Sequence, residues 1–244
     1  MPQLLPFTAD TLTGRSRAHI VDLQDPRCSL HQEVAEPFLA MRSAARREGL
    51  DLVPTSAFRD FGRQLAIWNG KCRGERDLRG ADGELLDFRA LNEDELVEAI
   101  LIWSALPGAS RHHWGTDMDV IDATAVPPGY VVQLVQEEYA PGGIFGKLNR
   151  WLDENAALYG FFRPYAVFRG GFRPEPWHLS YAPLADMAQR QFSVELLWQA
   201  LETAPLEAAA AVRRKLPQIM ERYVRNIETP PALALAATPG TRLA

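Results

Sequence analysis

Apolar positions along the chain switch between helical and extended spacing. In LHQEVAEPFLAMRSAARREG, residues 30–49, Val34, Phe38, Met41 and Ala45 share one helical stripe that closes on Gly49, and Pro37 marks either the first turn or a kink. LDLVPTSAF is extended, and FGRQLAIWNG is a short helix with an Asn-Gly stop. Asn92 followed by Glu95 is an N-cap with an acidic third residue, and it opens a helix, EDELVEAILIWSAL, that stops at Pro107-Gly108. In TDMDVID the alternation puts Asp117, Asp119 and Ile121 on one face of a strand and Met118 and Val120 on the other. The spacing further predicts a helix over IFGKLNRWLDENAALYG, strands over FFRPYAVF and PWHLSYA, and helices over SVELLWQALE and LEAAAAVRRKLPQIMERYVRNI. His178 and Ser180 then share one side of the PWHLSYA strand. The expected fold class is α+β: a small antiparallel sheet with flanking helices, the polar residues on the sheet, and extra helices at the C-terminus.

Composition narrows the class. A chain of 244 residues, 47% hydrophobic, can bury a substantial core as one domain with extensions. The net charge of -5 has no basic run behind it, so nucleic acid is not an expected partner. No apolar run approaches the roughly 20 residues that span a bilayer. The opening MPQLLPFTADTLTGRSRAHI lacks a basic region followed by an apolar stretch, which makes a cytoplasmic location the expectation. Cys28 and Cys72 are too few for a disulfide framework and read as reduced thiols. KCRGERDLRGADGELLDFRA is a charged, glycine-containing loop and a candidate lid or surface excursion.

Chemistry concentrates in SRHHWGTDMD, residues 110–119, which holds two of the five histidines and two aspartates. A catalytic zinc site takes three protein ligands and leaves a fourth position for water. His112 and Asp119 supply two, and His178 in EPWHLSY, on a different element, is the expected third. Glu175 lies three residues before it, where Pro174 and Pro176 place it in a turn, and a glutamate beside the metal can accept the proton of an attacking water. His113 points to the opposite face from His112 and reads as structural. Asp122 reads as a turn residue, Trp177 and Tyr181 as core, and His19 and His31 as surface or helix-end groups.

These residues also carry a family pattern. SRHHWGTDMD fits Ser-x-His-x-x-Gly-x-x-x-Asp and EPWH fits Glu-x-x-His; together they resemble the VanY and VanX type of zinc D-Ala-D-Ala peptidases, a group that includes phage L-alanyl-D-glutamate endopeptidases. SAFRDFGRQ is similar to that family's Ser-x-Tyr-Arg-x-x-x-x-Gln segment, so the resemblance covers roughly residues 30 to 185. It implies zinc held by His112, Asp119 and His178, Glu175 as catalytic base, Arg59 holding the substrate or the oxyanion, and Gln64 and Ser110 lining the substrate subsite. Two departures bear on substrate choice: Asp117 stands where the family often has a small residue, adding negative charge beside the metal, and Phe58 replaces a tyrosine.

The implied organisation is a VanY-like peptidase domain over residues 1–190, a helical extension over 191–228 and a loose tail over 229–244. The implied function is a zinc carboxypeptidase that removes D-alanine from peptidoglycan-derived peptides. A cytoplasmic setting favours an LD-carboxypeptidase trimming tetrapeptides in cell-wall recycling over a DD-carboxypeptidase acting on pentapeptides. An endopeptidase of the same fold and a non-catalytic, metal-stabilised binding module are the alternatives, and the presence of Glu175 counts against the second.

Overall fold

The alternating segment at residues 117–122 forms the centre of the sheet. In the computed structural model, which describes residues 7–236, a short helix α1 (Ala9–Leu12) precedes a hairpin of β1 (Ile20–Gln24) and β2 (Arg27–His31). The chain continues through α2 (Gln32–Arg47), β3 (Leu52–Ser56), α3 (Phe61–Cys72), α4 (Glu93–Leu101) and β4 (Asp117–Asp122). α5 (Gln136–Tyr139), α6 (Gly146–Asn155), β5 (Phe161–Phe162) and β6 (His178–Tyr181) follow, and α7 (Ala182–Gln191), α8 (Val194–Glu202), α9 (Ala209–Ile219) and α10 (Ala232–Ala236) close the described chain. β3, β4, β6 and β5 pair in that order, all antiparallel, so the architecture is the expected α+β with helices flanking a small sheet.

The periodicities explain the packing. Val34, Phe38, Met41 and Ala45 of α2 are fully buried, and burying side chains the size of Phe38 or Met41 contributes about 1.5–3 kcal/mol each. α2 begins at Gln32, so Pro37 lies beyond its first turn, inside the helix. Met118 and Val120 turn the apolar face of β4 into the core, where the Tyr139 hydroxyl donates to the Val120 carbonyl at 2.7 Å. β3 lies at the edge of the sheet, a position that tolerates Pro54, which has no N–H for the ladder. A register shift between Pro54 and Ser56 brings Ser56 opposite Asp119.

Several expected elements are shorter. The strand over residues 161–168 stops at Phe162, because Pro164 follows and the apolar run beyond it leaves the sheet, with Val167 and Phe168 exposed. The helix predicted to Leu106 ends at Leu101, and the one predicted to Gly160 tightens to a 3-10 turn after Asn155. Past Pro217 the long C-terminal helix widens into a π-turn over Met220–Val224. Of the expected tail, residues 232–236 form α10, with Ala234 buried beside Phe162 and Ala182, while positions from 237 onward lie outside the described residues. The β1–β2 hairpin was not predicted: its strands are short and half exposed, so they show no sustained alternation. No helix among the described residues is long and apolar enough to cross a membrane.

Candidate metal centre and its cleft

Antiparallel register assembles the centre. Asp119 of β4 and His178 of β6 are direct partners across the ladder, which places their side chains together on one face. His112 comes from the 3-10 turn Arg111–Trp114, which Gly115 ends at φ 68°. A Cβ on Gly115 would lie 2.3 Å from Ile20 Cδ1 and 2.7 Å from the His31 amide nitrogen, so this reversal needs glycine. As a result, one ligand atom each from His112, Asp119 and His178 lies within 4.8 Å of the others, and all three residues are buried.

The unused ring nitrogens are committed elsewhere. His112 Nδ1 lies 2.9 Å from the Ala57 carbonyl, which fixes the hydrogen there and leaves Nε2 bare, 3.4 Å from Asp119 Oδ2. His178 Nε2 lies 3.0 Å from Asp117 Oδ1, while Nδ1 faces Asp119 Oδ1 at 3.0 Å. Two histidine nitrogens, each oriented by an acceptor behind it, and one carboxylate fit a catalytic zinc with an open position. The field favours a cation as well. Burial would depress the His178 ring, yet Asp117 and Asp119 outweigh it and raise its pKa to about 10. Burial would raise both carboxyls, but Arg111 and His178 hold Asp117, and His112 and His178 hold Asp119, well below the usual carboxylate range.

Glu175 sits in the turn before β6. Its N–H donates to the Tyr165 carbonyl at 3.0 Å, its carbonyl accepts from the His178 N–H at 3.1 Å, and its Oε2 lies 3.5 Å from His178 Nδ1. Burial, with Asp119 adding to it, raises this carboxyl to about 7 against the opposing pull of His178 and Arg59. A carboxyl poised there can take a proton and give it back.

Arg59, just past β3, lies on the same cleft, a space of about 250 Å³ that Ser110, His112, Asp119, Glu175 and His178 also line. Its guanidinium donates to Ser56 Oγ at 2.8 Å and to Gln64 Oε1 at 2.9 Å. Gln64 was expected to line the substrate subsite. It is instead fully buried behind Arg59, and its amide nitrogen donates to the Ala105 carbonyl at 2.7 Å. A short polar side chain on the inner face of α3 cannot reach past the guanidinium it holds.

Other readings are also corrected. Asp117 does not face the centre directly but touches it through His178. His19 and His31 are buried and not on the surface; their rings stand 5.5 Å apart, and His31 does take the helix-end role, capping α2 by accepting from the Glu33 N–H. His113 is fully buried and braces two backbone segments, meeting the Arg59 carbonyl through Nδ1 and accepting from the Gly108 N–H through Nε2. Asp122 accepts from the Asp51 and Thr124 N–H groups, the turn role expected of it. The charged loop is tied down at Gly80, whose carbonyl accepts from the Trp103 indole at 2.9 Å.

Sequence reasoning missed Trp103, Leu134, Tyr165, Phe172 and Arg111 as residues lining the cleft. The Tyr165 ring packs against His178 at 5.0 Å. Trp103 and Tyr165 stand in segments that read as regular structure, and Leu134 and Phe172 in segments with no pattern to mark them.

The VanY family, described as D-alanyl-D-alanine carboxypeptidase, matches residues 27–184. An uncharacterised Haemophilus influenzae protein is 39% identical over 121 residues, 49% of this chain and 92% of that one. A D-alanyl-D-alanine carboxypeptidase of Enterococcus faecium is 26% identical, over 71% of this chain and 45% of its own length. Among solved structures, VanYB in complex with D-alanine-D-alanine is similar at a TM-score of 0.48 and 21% identity, covering 78% of this chain and 91% of that one.

Proposed function

The chain belongs to the VanY family of D-alanyl-D-alanine carboxypeptidases, and from its site we propose a zinc metallocarboxypeptidase that removes C-terminal D-alanine from peptidoglycan peptides. The observation that carries the reading is the buried His112, Asp119 and His178 cluster, sharing one cleft with Glu175 and Arg59. A zinc ion bound by these three residues would lower the pKa of a water and polarise the scissile carbonyl.

The chain's own groups supply the rest. Arg59 presents a fixed positive fork to the terminal carboxylate of the peptide or to the developing oxyanion, and its contacts with Ser56 and Gln64 fix its direction beforehand. Glu175 Oε2 accepts the proton of the attacking water and passes it to the departing amine; its raised pKa suits both transfers near neutral pH. Tyr165, Phe172 and Trp103 wall the cleft with apolar surface and limit water around the reacting bond.

The finer reading is an LD-carboxypeptidase acting on tetrapeptides. A cytoplasmic setting, proposed here with it, would present free wall fragments and not assembled wall. Mass spectrometry of zinc-loaded protein with muropeptide tri-, tetra- and pentapeptides tests both levels, with Glu175→Ala as control. Loss of one alanine from tetrapeptide is expected. Loss from pentapeptide alone would make the enzyme DD-specific, and no alanine release with zinc bound would overturn the carboxypeptidase reading in favour of an endopeptidase or a binding module.

A further inference from the structure

Behind the centre lies a buried ion pair that the reaction outlined above does not use. Arg111 Nε donates to Asp117 Oδ1 at 2.8 Å, with the two side chains 3% and 0% exposed. Arg111 also donates to Ser180 Oγ at 2.7 Å and Gln189 Oε1 at 2.9 Å, and its guanidinium lies 4.7 Å from the Trp114 ring centroid. Asp117 Oδ1 further meets His178 Nε2 at 3.0 Å, and its Oδ2 accepts from the hydroxyls of Thr116 and Ser180.

Stability alone gives little reason for this arrangement, because well-packed apolar residues commonly replace a buried ion pair without loss. Its placement gives a better one. The ladder sets Asp117 opposite Ser180 and Asp119 opposite His178, so two carboxylates of one strand face flank the same imidazole, one at each nitrogen. Without Asp117 the ring could carry its hydrogen on Nδ1 and present no lone pair to the centre.

We infer that Asp117 is a positioning residue for the metal: by accepting the Nε2 hydrogen it fixes the His178 tautomer whose Nδ1 lone pair faces His112 and Asp119, and Arg111 anchors Asp117. The carboxylate also increases the donor strength of Nδ1, as carboxylates behind metal-bound histidines do. Asparagine is a poor substitute. Asp117 accepts four hydrogen bonds, and a carboxamide must turn its NH2 either toward His178, selecting the wrong tautomer, or toward Thr116 and Ser180.

The inference rests on the zinc reading, and the experiment separates the two. Full-length protein is stripped with a chelator, and zinc affinity is measured by competition with a chromophoric chelator for wild type, Asp117→Asn and the double variant Arg111→Gln/Asp117→Asn. The double variant removes both charges and stands in if the single one misfolds; near-UV circular dichroism confirms folding. Zinc affinity about 10- to 100-fold weaker in the folded variants is expected, with a shifted absorption band in the cobalt-substituted protein. Arg111 lines the cleft but Asp117 does not, so in Asp117→Asn kcat should fall while KM for the peptide is unchanged. Native zinc affinity and an unchanged cobalt spectrum in a folded variant would overturn the inference and leave the pair a fold element. Failure of wild type to take up zinc would overturn the reading beneath it.

Discussion

Gln64→Leu tests whether the buried amide is what aims Arg59. The substitution keeps most of the side-chain volume but removes the acceptor at 2.9 Å from the guanidinium and the donor at 2.7 Å from the Ala105 carbonyl. A hydrogen bond to a charged group is worth about 1.5–3 kcal/mol, and an unsatisfied buried carbonyl costs about 1–3 kcal/mol. Burial of the leucine side chain returns about 1.5–3 kcal/mol, so the net loss of stability should be about 1–3 kcal/mol. For a chain of this size that is a drop in Tm of about 2–4 °C per kcal/mol. The functional cost should be larger in proportion, because Arg59 keeps only Ser56 as a side-chain partner and its fork can swing; a misplacement on the order of 1 Å can cost about 100-fold in rate. Steady-state assay of released D-alanine, at a temperature where the variant is folded, should show kcat/KM reduced at least 10-fold through a raised KM, with zinc affinity intact. Unchanged kcat/KM in folded Gln64→Leu would refute the view that Gln64 acts through Arg59.

Further expectations concern other parts of the site. Glu175→Gln should retain zinc and lose about 10²–10⁴-fold in kcat, measured by the same assay, and full activity would remove Glu175 as the proton carrier. Gly115→Ala should lower Tm and weaken zinc binding together, because its Cβ would press on the His31 backbone and displace the turn that carries His112; equilibrium unfolding of apo and zinc-loaded protein would show both. Acid should destabilise the protein through His31. Burial, with the neighbouring His19 adding to it, lowers this ring from 6.5 to about 4. The stability it confers is therefore complete above pH 6.5 and is lost as pH falls toward 4. At about 1.36 kcal/mol per pH unit of difference, the loss approaches about 3 kcal/mol. Urea unfolding at several pH values should show this slope flattened in His31→Asn, which keeps an acceptor to cap α2, and an unchanged slope would exclude His31 as its source.

The candidate ligands are legible because each stands within a short motif, and alternation alone places Asp119 on the polar face of its strand. What no local pattern could give was depth. Gln64 and Ser110 belong to equally suggestive motifs, yet one lies behind Arg59 and the other lines the cleft, a difference set by how α3 packs and not by sequence spacing. Asp117 was visible as an extra charge, but its partner Arg111 was unremarked between a serine and a histidine, and only the ladder pairing with Ser180 shows that the two meet. Trp103 and Tyr165 lie in loops after α4 and β5 whose residues read as helix and strand, while Leu134 and Phe172 fall in stretches with no readable period. The buried His19 and His31 pair depends on the unpredicted hairpin, whose half-exposed strands have no period to read.

Asp119 and His178 stand side by side in the ladder but 59 residues apart along the chain. An ion held by both is therefore a cross-link that closes a long loop, and in an unfolded chain the entropy of closing such a loop grows only with the logarithm of its length, about 0.6 kcal/mol per doubling. The intervening segment carries Leu134, Tyr165 and Phe172, which shape the cleft. Lengthening a surface loop within it would thus cost the cross-link little, whereas its core side chains, Phe145, Trp151 and Phe161 among them, are tied to the fold as firmly as the candidate ligands.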